Sequence, residues 1–249
     1  MGREVSIKRN LAFQTIYQIT STCLPLITSP YLSRVLGASQ LGVYSFTSSI
    51  VSYFMLFAML GTYNHGTRSI AACADNKTER SKIFWSIFRL HSITNIVCVT
   101  AYVIYLLFFC KENNQIATIQ IIELLSCFFN VAWLFAGMEH IQFTAIRSLI
   151  IRVSSVIMVL LFVKRPSDLW IYALITVSSA LISQLVLWIY LPRYVEKSKV
   201  TWKESLSNLK PSLLLFIPLL AMSVYHIMDK TMLGLLSNYE ESGLYYNAD

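Results

Sequence analysis

Pro30-Tyr31-Leu32-Ser33-Arg34-Val35-Leu36-Gly37-Ala38-Ser39-Gln40-Leu41-Gly42-Val43-Tyr44 separates two long apolar segments and is too punctuated to belong wholly to either. Glycine is costly inside a helix and useful at its ends, so Gly37 and Gly42 mark a boundary. Arg34 sets a fixed charge where an apolar helix finishes. A looser copy returns near the C-terminus, as Asp229-Lys230-Thr231-Met232-Leu233-Gly234 and then Gly243-Leu244-Tyr245-Tyr246. Leu36-Gly37 answers Leu233-Gly234, and Gly42-x-Tyr44 answers Gly243-x-Tyr245, which points to an internal repeat of roughly two hundred residues.

Working outward, the 249 residues are 55% hydrophobic and only 13% charged, with a mean hydropathy of +0.57. Soluble domains carry about a quarter charged residues, so this chain falls in the membrane class. A bilayer core needs about 20 apolar residues in a helix. Seven segments meet that length, at 11–32, 41–63, 83–109, 116–137, 141–163, 169–191 and 212–236. The expected fold is all-α and polytopic, with residues 1–191 as a six-helix bundle. A cytoplasmic amphipathic connector follows at 192–210, with Trp202, Leu206 and Leu209 as its apolar stripe, and 211–249 begins a second bundle. The first apolar run is too long for a signal peptide and lacks a small-x-small cleavage site, so it reads as a retained helix.

Lysines and arginines set the orientation. Twelve lie on the N-terminal side (Arg3, Lys8, Arg9, Arg68, Lys77, Arg80, Lys82, Arg193, Lys197, Lys199, Lys203 and Lys210), against four on the other (Arg34, Lys111, Lys164 and Arg165). The N-terminus is therefore expected in the cytoplasm. The net charge of +7 gathers at segment ends rather than on an aromatic-interleaved face, which argues against nucleic acid as a partner. Five cysteines show no metal-ligand spacing, and the four histidines are scattered, so no metal or cofactor is expected. No Walker loop, G-x-S-x-G, H-E-x-x-H or carboxylate pair within a span points to an enzyme.

Isolated ionisable residues within spans are expensive in lipid and face a protein interior or a wet cavity. Arg89, Arg147 and Arg152 all fall in the cytoplasmic half, where a cavity open to that side would gather them. Three guanidiniums at one depth suit an anion with several oxygens; the plainer alternative is that each snorkels to the interface or binds a carbonyl. Asp229 and Lys230 lie about 100° apart on a helix, so one faces a cavity and the other a neighbouring helix. Glu123 and Asn130 share a face, as partners for a basic residue or as structural polar contacts. Pro25, Pro30, Pro211 and Pro218 can bend the first and seventh helices.

The quoted stretch, with Gly66-Thr67-Arg68-Ser69-Ile70-Ala71, Asp229-Lys230-Thr231-Met232-Leu233-Gly234 and Gly243-Leu244-Tyr245-Tyr246-Asn247-Ala248, resembles the bacterial oligosaccharide flippases. These are the O-antigen and capsule repeat-unit transporters of the multidrug/oligosaccharidyl-lipid/polysaccharide exporter superfamily. The resemblance runs from about residue 8 to the last residue. It implies two six-helix bundles across a central cavity, alternating access driven by an ion gradient, and a location in the bacterial cytoplasmic membrane. Implied partners are undecaprenyl-pyrophosphate-linked oligosaccharide, membrane lipids and the polysaccharide polymerase machinery. It implies that Arg34, Arg68, Asp229 and Lys230 match family positions, and gives no warrant for Arg89, Arg147 or Arg152; cavity or gating roles are expected of the first four, with Glu123 and Asn130.

Only one bundle and one helix of the next are covered, so the chain is expected to be a truncated form or to need a partner. A drug or cation extruder of the same superfamily is expected to carry a carboxylate in its first helix, and residues 11–32 contain none. A flippase of the peptidoglycan lipid precursor is a nearer alternative. A seven-helix receptor or inactive membrane fragment is the alternative of another class, and a receptor would place its N-terminus outside.

Overall fold

The computed structural model describes residues 2–110, 113–236 and 238–248. Among the described residues the secondary structure is helical, without strands. Helix α1 (Gly2–Val35) runs through Pro25 and Pro30 and turns at Gly37, whose φ of 79° is the left-handed conformation that glycine adopts freely. Helices α2 (Gly37–Met59) and α3 (Thr62–Ala72) cross back together, and α4 (Lys77–Phe108) returns. Short helices α5 (Asn114–Ile119), α6 (Ile121–Phe128) and α7 (Ala132–Gly137) share the next passage. Helices α8 (Ile141–Phe162) and α9 (Leu169–Tyr194) follow, then α10 (Trp202–Ser207), α11 (Leu209–Leu236) and α12 (Tyr239–Ala248).

Six of these passages are long and apolar enough to cross a membrane among the described residues: Gly37–Ala72, Lys77–Phe108, Asn114–Gly137, Gln142–Phe162, Pro166–Tyr194 and Trp202–Val224. Helix α1 is long enough, at about 51 Å, but more polar. Its hydroxyls fold back on its own backbone, as in Thr22 to the Gln18 carbonyl at 3.0 Å and Ser33 to the Ser29 carbonyl at 2.8 Å. Hydroxyls satisfied in this way are tolerated in lipid. Large side chains such as Leu107, Ile150, Ile157, Leu161 and Ile189 stand exposed on the outer surface. So much exposed apolar area is unfavourable in water and natural against lipid.

Two passages expected as continuous helices are broken. Leu60 (φ 43°) and Gly61 (φ 71°) separate α2 from α3, and residues 129–131 separate α6 from α7. Each break frees carbonyls in a medium without water, where an unpaired group costs several kcal/mol. Side chains of other helices bind them. The Ala58 carbonyl accepts from Thr94 at 2.7 Å and from Asn95 at 3.2 Å, and the Met59 carbonyl accepts from Thr62 at 2.6 Å. The Cys127 carbonyl accepts from His91 Nε2 at 3.0 Å, and the Phe129 carbonyl from Trp188 Nε1 at 2.9 Å. Because a carbonyl only accepts, Nε2 carries the His91 proton. His91 also lies 3.1 Å from the Thr62 hydroxyl, so α4 pins both breaks at one depth. His91→Ala is expected to destabilise the protein by about 3 kcal/mol, through the loss of a buried side-chain hydrogen bond plus a cavity. Thermal unfolding in detergent checks this, and an unchanged midpoint would refute the pin.

The two copies of the opening motif meet in space. A Cβ on Gly42 would overlap the Tyr239 carbonyl oxygen, and one on Gly243 would overlap the Ala38 carbonyl oxygen. The backbones of α2 and α12 therefore touch where Ala38-x-x-x-Gly42 crosses Tyr239-x-x-x-Gly243, which is how small residues let membrane helices approach. Thr231 of α11 adds a 3.0 Å hydrogen bond to Ser49 of α2.

Candidate functional site

Between α1, α2, α3, α7, α8, α9, α11 and α12 lies a cavity of about 880 Å³. Helix α8 presents Thr144, Arg147, Ser148, Ile151, Arg152, Ser155, Val156 and Val159 to it, and α9 presents Tyr172, Thr176, Ser179, Ala180, Ser183 and Gln184. Both sets recur at three- and four-residue spacing, the stripe that one helical face produces. Tyr17, Thr28 and Ser29 of α1 complete the polar wall. Those hydroxyls are a feature the sequence reading passed over. Their spacing within apolar runs is the signal that finds them.

Three cationic side chains line this space, Arg147, Arg152 and Lys230, and no carboxylate does so among the described residues. Arg147 is buried, and its guanidinium donates to the Ser183 carbonyl and, at 3.1 Å, to the Ser148 hydroxyl. Its Nε, also buried, has no partner among the described residues. Arg152 donates to the Ser21 hydroxyl of α1. Lys230 sits 5.9 Å from the centre of the Tyr246 ring. Its neighbour Asp229 turns the other way and accepts from the Tyr245 hydroxyl at 2.9 Å.

The remaining candidates lie elsewhere. Arg34 and Arg68 are exposed and do not line the cavity. The Asn130 side chain accepts from the Ala132 amide at 3.1 Å and so caps the break before α7. Glu123 is half-buried on α6, outside the lining. Arg89 does not join the other arginines: its guanidinium donates to the Val200 carbonyl at 2.7 Å and stacks 5.5 Å from the Trp202 ring. The connector folds back along α4, which depth counting along the sequence could not reveal. Trp85 binds the Glu196 carbonyl at 2.9 Å, Ser86 binds the Glu204 carbonyl at 2.8 Å, and Lys77 pairs with Glu196 at 3.0 Å. Arg89→Ala is expected to loosen this strap and raise tryptic cleavage at Lys197 and Lys199 several-fold, with Arg89→Lys intermediate. Equal cleavage in all three proteins would show that the strap is held without it.

Long apolar helices around a cationic, hydroxyl-lined cavity define a multi-pass membrane protein with a polar interior space. Residues 7–249 match the family model described as "Polysaccharide biosynthesis protein", and the chain belongs to that family. It is 28% identical over 241 residues to a protein of Escherichia coli (strain K12) named "Putative O-antigen transporter", covering 94% of this chain and 57% of that one. A protein of Shigella dysenteriae with the same name is 25% identical over 236 residues, covering 92% and 58%. The chain thus spans less than two thirds of the length of these relatives. No solved structure gives a significant match.

Proposed function

We propose that this chain carries the substrate path of a flippase that moves polyprenyl-pyrophosphate-linked oligosaccharide across the bacterial cytoplasmic membrane for surface polysaccharide assembly. The observation that carries the reading is the pair Arg147 and Arg152 facing one hydroxyl-lined cavity at membrane depth. Two guanidiniums there are costly unless an anion offsets them. A pyrophosphate supplies the oxygens for forked, charge-assisted bonds. Serine and threonine hydroxyls, which both donate and accept, can exchange partners with sugar hydroxyls as the glycan enters. The polyprenyl tail stays in lipid beside α1 and α8.

The family and the names of its relatives support this reading, and so does the lack of a lining carboxylate among the described residues, which disfavours a cationic cargo. The basic side, with Lys197, Lys199 and Lys203, is the cytoplasmic one under the charge rule. In a host deleted for its own repeat-unit flippase, the intact protein is expected to restore surface polysaccharide and clear lipid-linked units from the inner leaflet. Persistent inner-leaflet accumulation with normal protein levels would refute the function.

A further inference from the structure

The cavity has two chemically different ends. Arg147 and its partner Ser183 mark one; Val159, Tyr44 and Tyr172 pack at the other, where Lys230 approaches the Tyr246 ring and is, among the described residues, the one cation against two arginines. Val159 lies twelve residues beyond Arg147 on α8, and Ser183 lies eleven beyond Tyr172 on α9. At 1.5 Å per residue, either helix separates the ends by about 17 Å. A pyrophosphate held at Arg147 therefore cannot touch the tyrosine end, whereas sugars further along an attached oligosaccharide can.

Three phenols converge there from three helices. Tyr44 of α2 and Tyr172 of α9 meet edge to face with centroids 4.9 Å apart, and Tyr246 of α12 lies 6.0 Å from Tyr44. The Tyr172 and Tyr246 hydroxyls are 3.2 Å apart, and all three residues line the cavity with Thr176. Phenylalanine would pack these rings equally well. The Thr176 hydroxyl bonds both Tyr44 and Tyr172, and a cluster of four hydroxyls, each able to donate and to accept, can exchange these mutual bonds for bonds to a ligand. The combination of ring edges and faces with exchangeable hydroxyls matches a pyranose, which offers a C–H face and a rim of hydroxyls.

We infer that Tyr44, Tyr172, Tyr246 and Thr176 form a sugar-recognition subsite for a saccharide of the repeat unit that lies beyond the one joined to the pyrophosphate. This rests on the flippase reading above and adds to it a division of labour, with anion at the arginine end and glycan at the tyrosine end. Since Tyr246 comes from α12 and the other three from α2 and α9, the subsite exists only while α12 is docked on α2. Glycan binding and closure of that contact then reinforce one another.

The test uses the purified intact protein and two probes, undecaprenyl pyrophosphate without sugar and the lipid-linked repeat unit extracted from a host lacking the gene. Wild type is expected to bind the glycosylated lipid at least tenfold more tightly. Tyr172→Phe with Tyr246→Phe, which keeps both rings, is expected to erase that preference while leaving the sugar-free affinity unchanged. Arg152→Gln is expected to weaken both probes alike. If the phenylalanine variant keeps the full preference, or weakens both probes equally, the subsite is overturned while the flippase reading stands. If wild type binds neither probe, the flippase reading falls and the subsite with it.

Discussion

Replacing Arg147 and Arg152 together by glutamine is expected to lower export of the repeat unit about a hundredfold, with the protein still present in the membrane at its normal level. A hydrogen bond to a charged group contributes roughly 1.5–3 kcal/mol, and each 1.4 kcal/mol is tenfold in an equilibrium constant. Two lost guanidinium contacts to one pyrophosphate therefore reach about two orders of magnitude. Glutamine still offers an amide to the Ser183 carbonyl that Arg147 binds, so the fold keeps its partner while the charge goes. Arg152→Lys separates charge from geometry: lysine keeps the charge and loses the fork, so an intermediate loss is expected. Export at the wild-type rate in the double variant, measured as surface polysaccharide per cell, would remove the cationic pair from the mechanism.

Gly42→Val is expected to be the most damaging single change to the fold. The new Cβ would collide with the backbone carbonyl of Tyr239, which has no rotamer to move out of the way. Overpacking of side chains costs about 1–3 kcal/mol, and a backbone obstacle puts this case at or above the upper end. Helix α12 then has to leave α2, and Tyr246 leaves the cavity with it. The melting midpoint in detergent is expected to fall by roughly 5–10 °C. Ser39→Val, exposed on the same helix, serves as the control and is expected to shift it little. Equal midpoints for the two variants would show that the crossing is looser than the contact implies.

How far the sequence reveals this arrangement depends on whether a feature is set along the chain or across it. Apolar runs mark the passages because lipid demands about 20 apolar residues per crossing. The breaks at Leu60–Gly61 and at 129–131 are invisible in that pattern, since the groups that make them tolerable, His91, Asn95 and Trp188, belong to other passages. Depth could be counted for Arg89, Arg147 and Arg152, but not direction. Arg147 and Arg152 turn to the cavity, while Arg89 is taken by a connector that returns more than a hundred residues later. The echo between Gly42-x-Tyr44 and Gly243-x-Tyr245 is legible along the chain, and the backbone-to-backbone crossing at which both glycines sit is not. The tyrosine end escaped notice because Tyr44, Tyr172 and Tyr246 are each unremarkable in their own segments and gain meaning only by meeting.

The most direct measurement places a photo-crosslinking amino acid in the intact protein at Ser155, which faces the cavity, and separately at Ile157, which is 52% exposed on the lipid side of the same helix. Cells making the lipid-linked repeat unit are illuminated, and the captured glycolipid is measured. Passage through the cavity predicts strong capture at Ser155 and little at Ile157. Equal capture at the two positions, or capture at Ile157 alone, would contradict it.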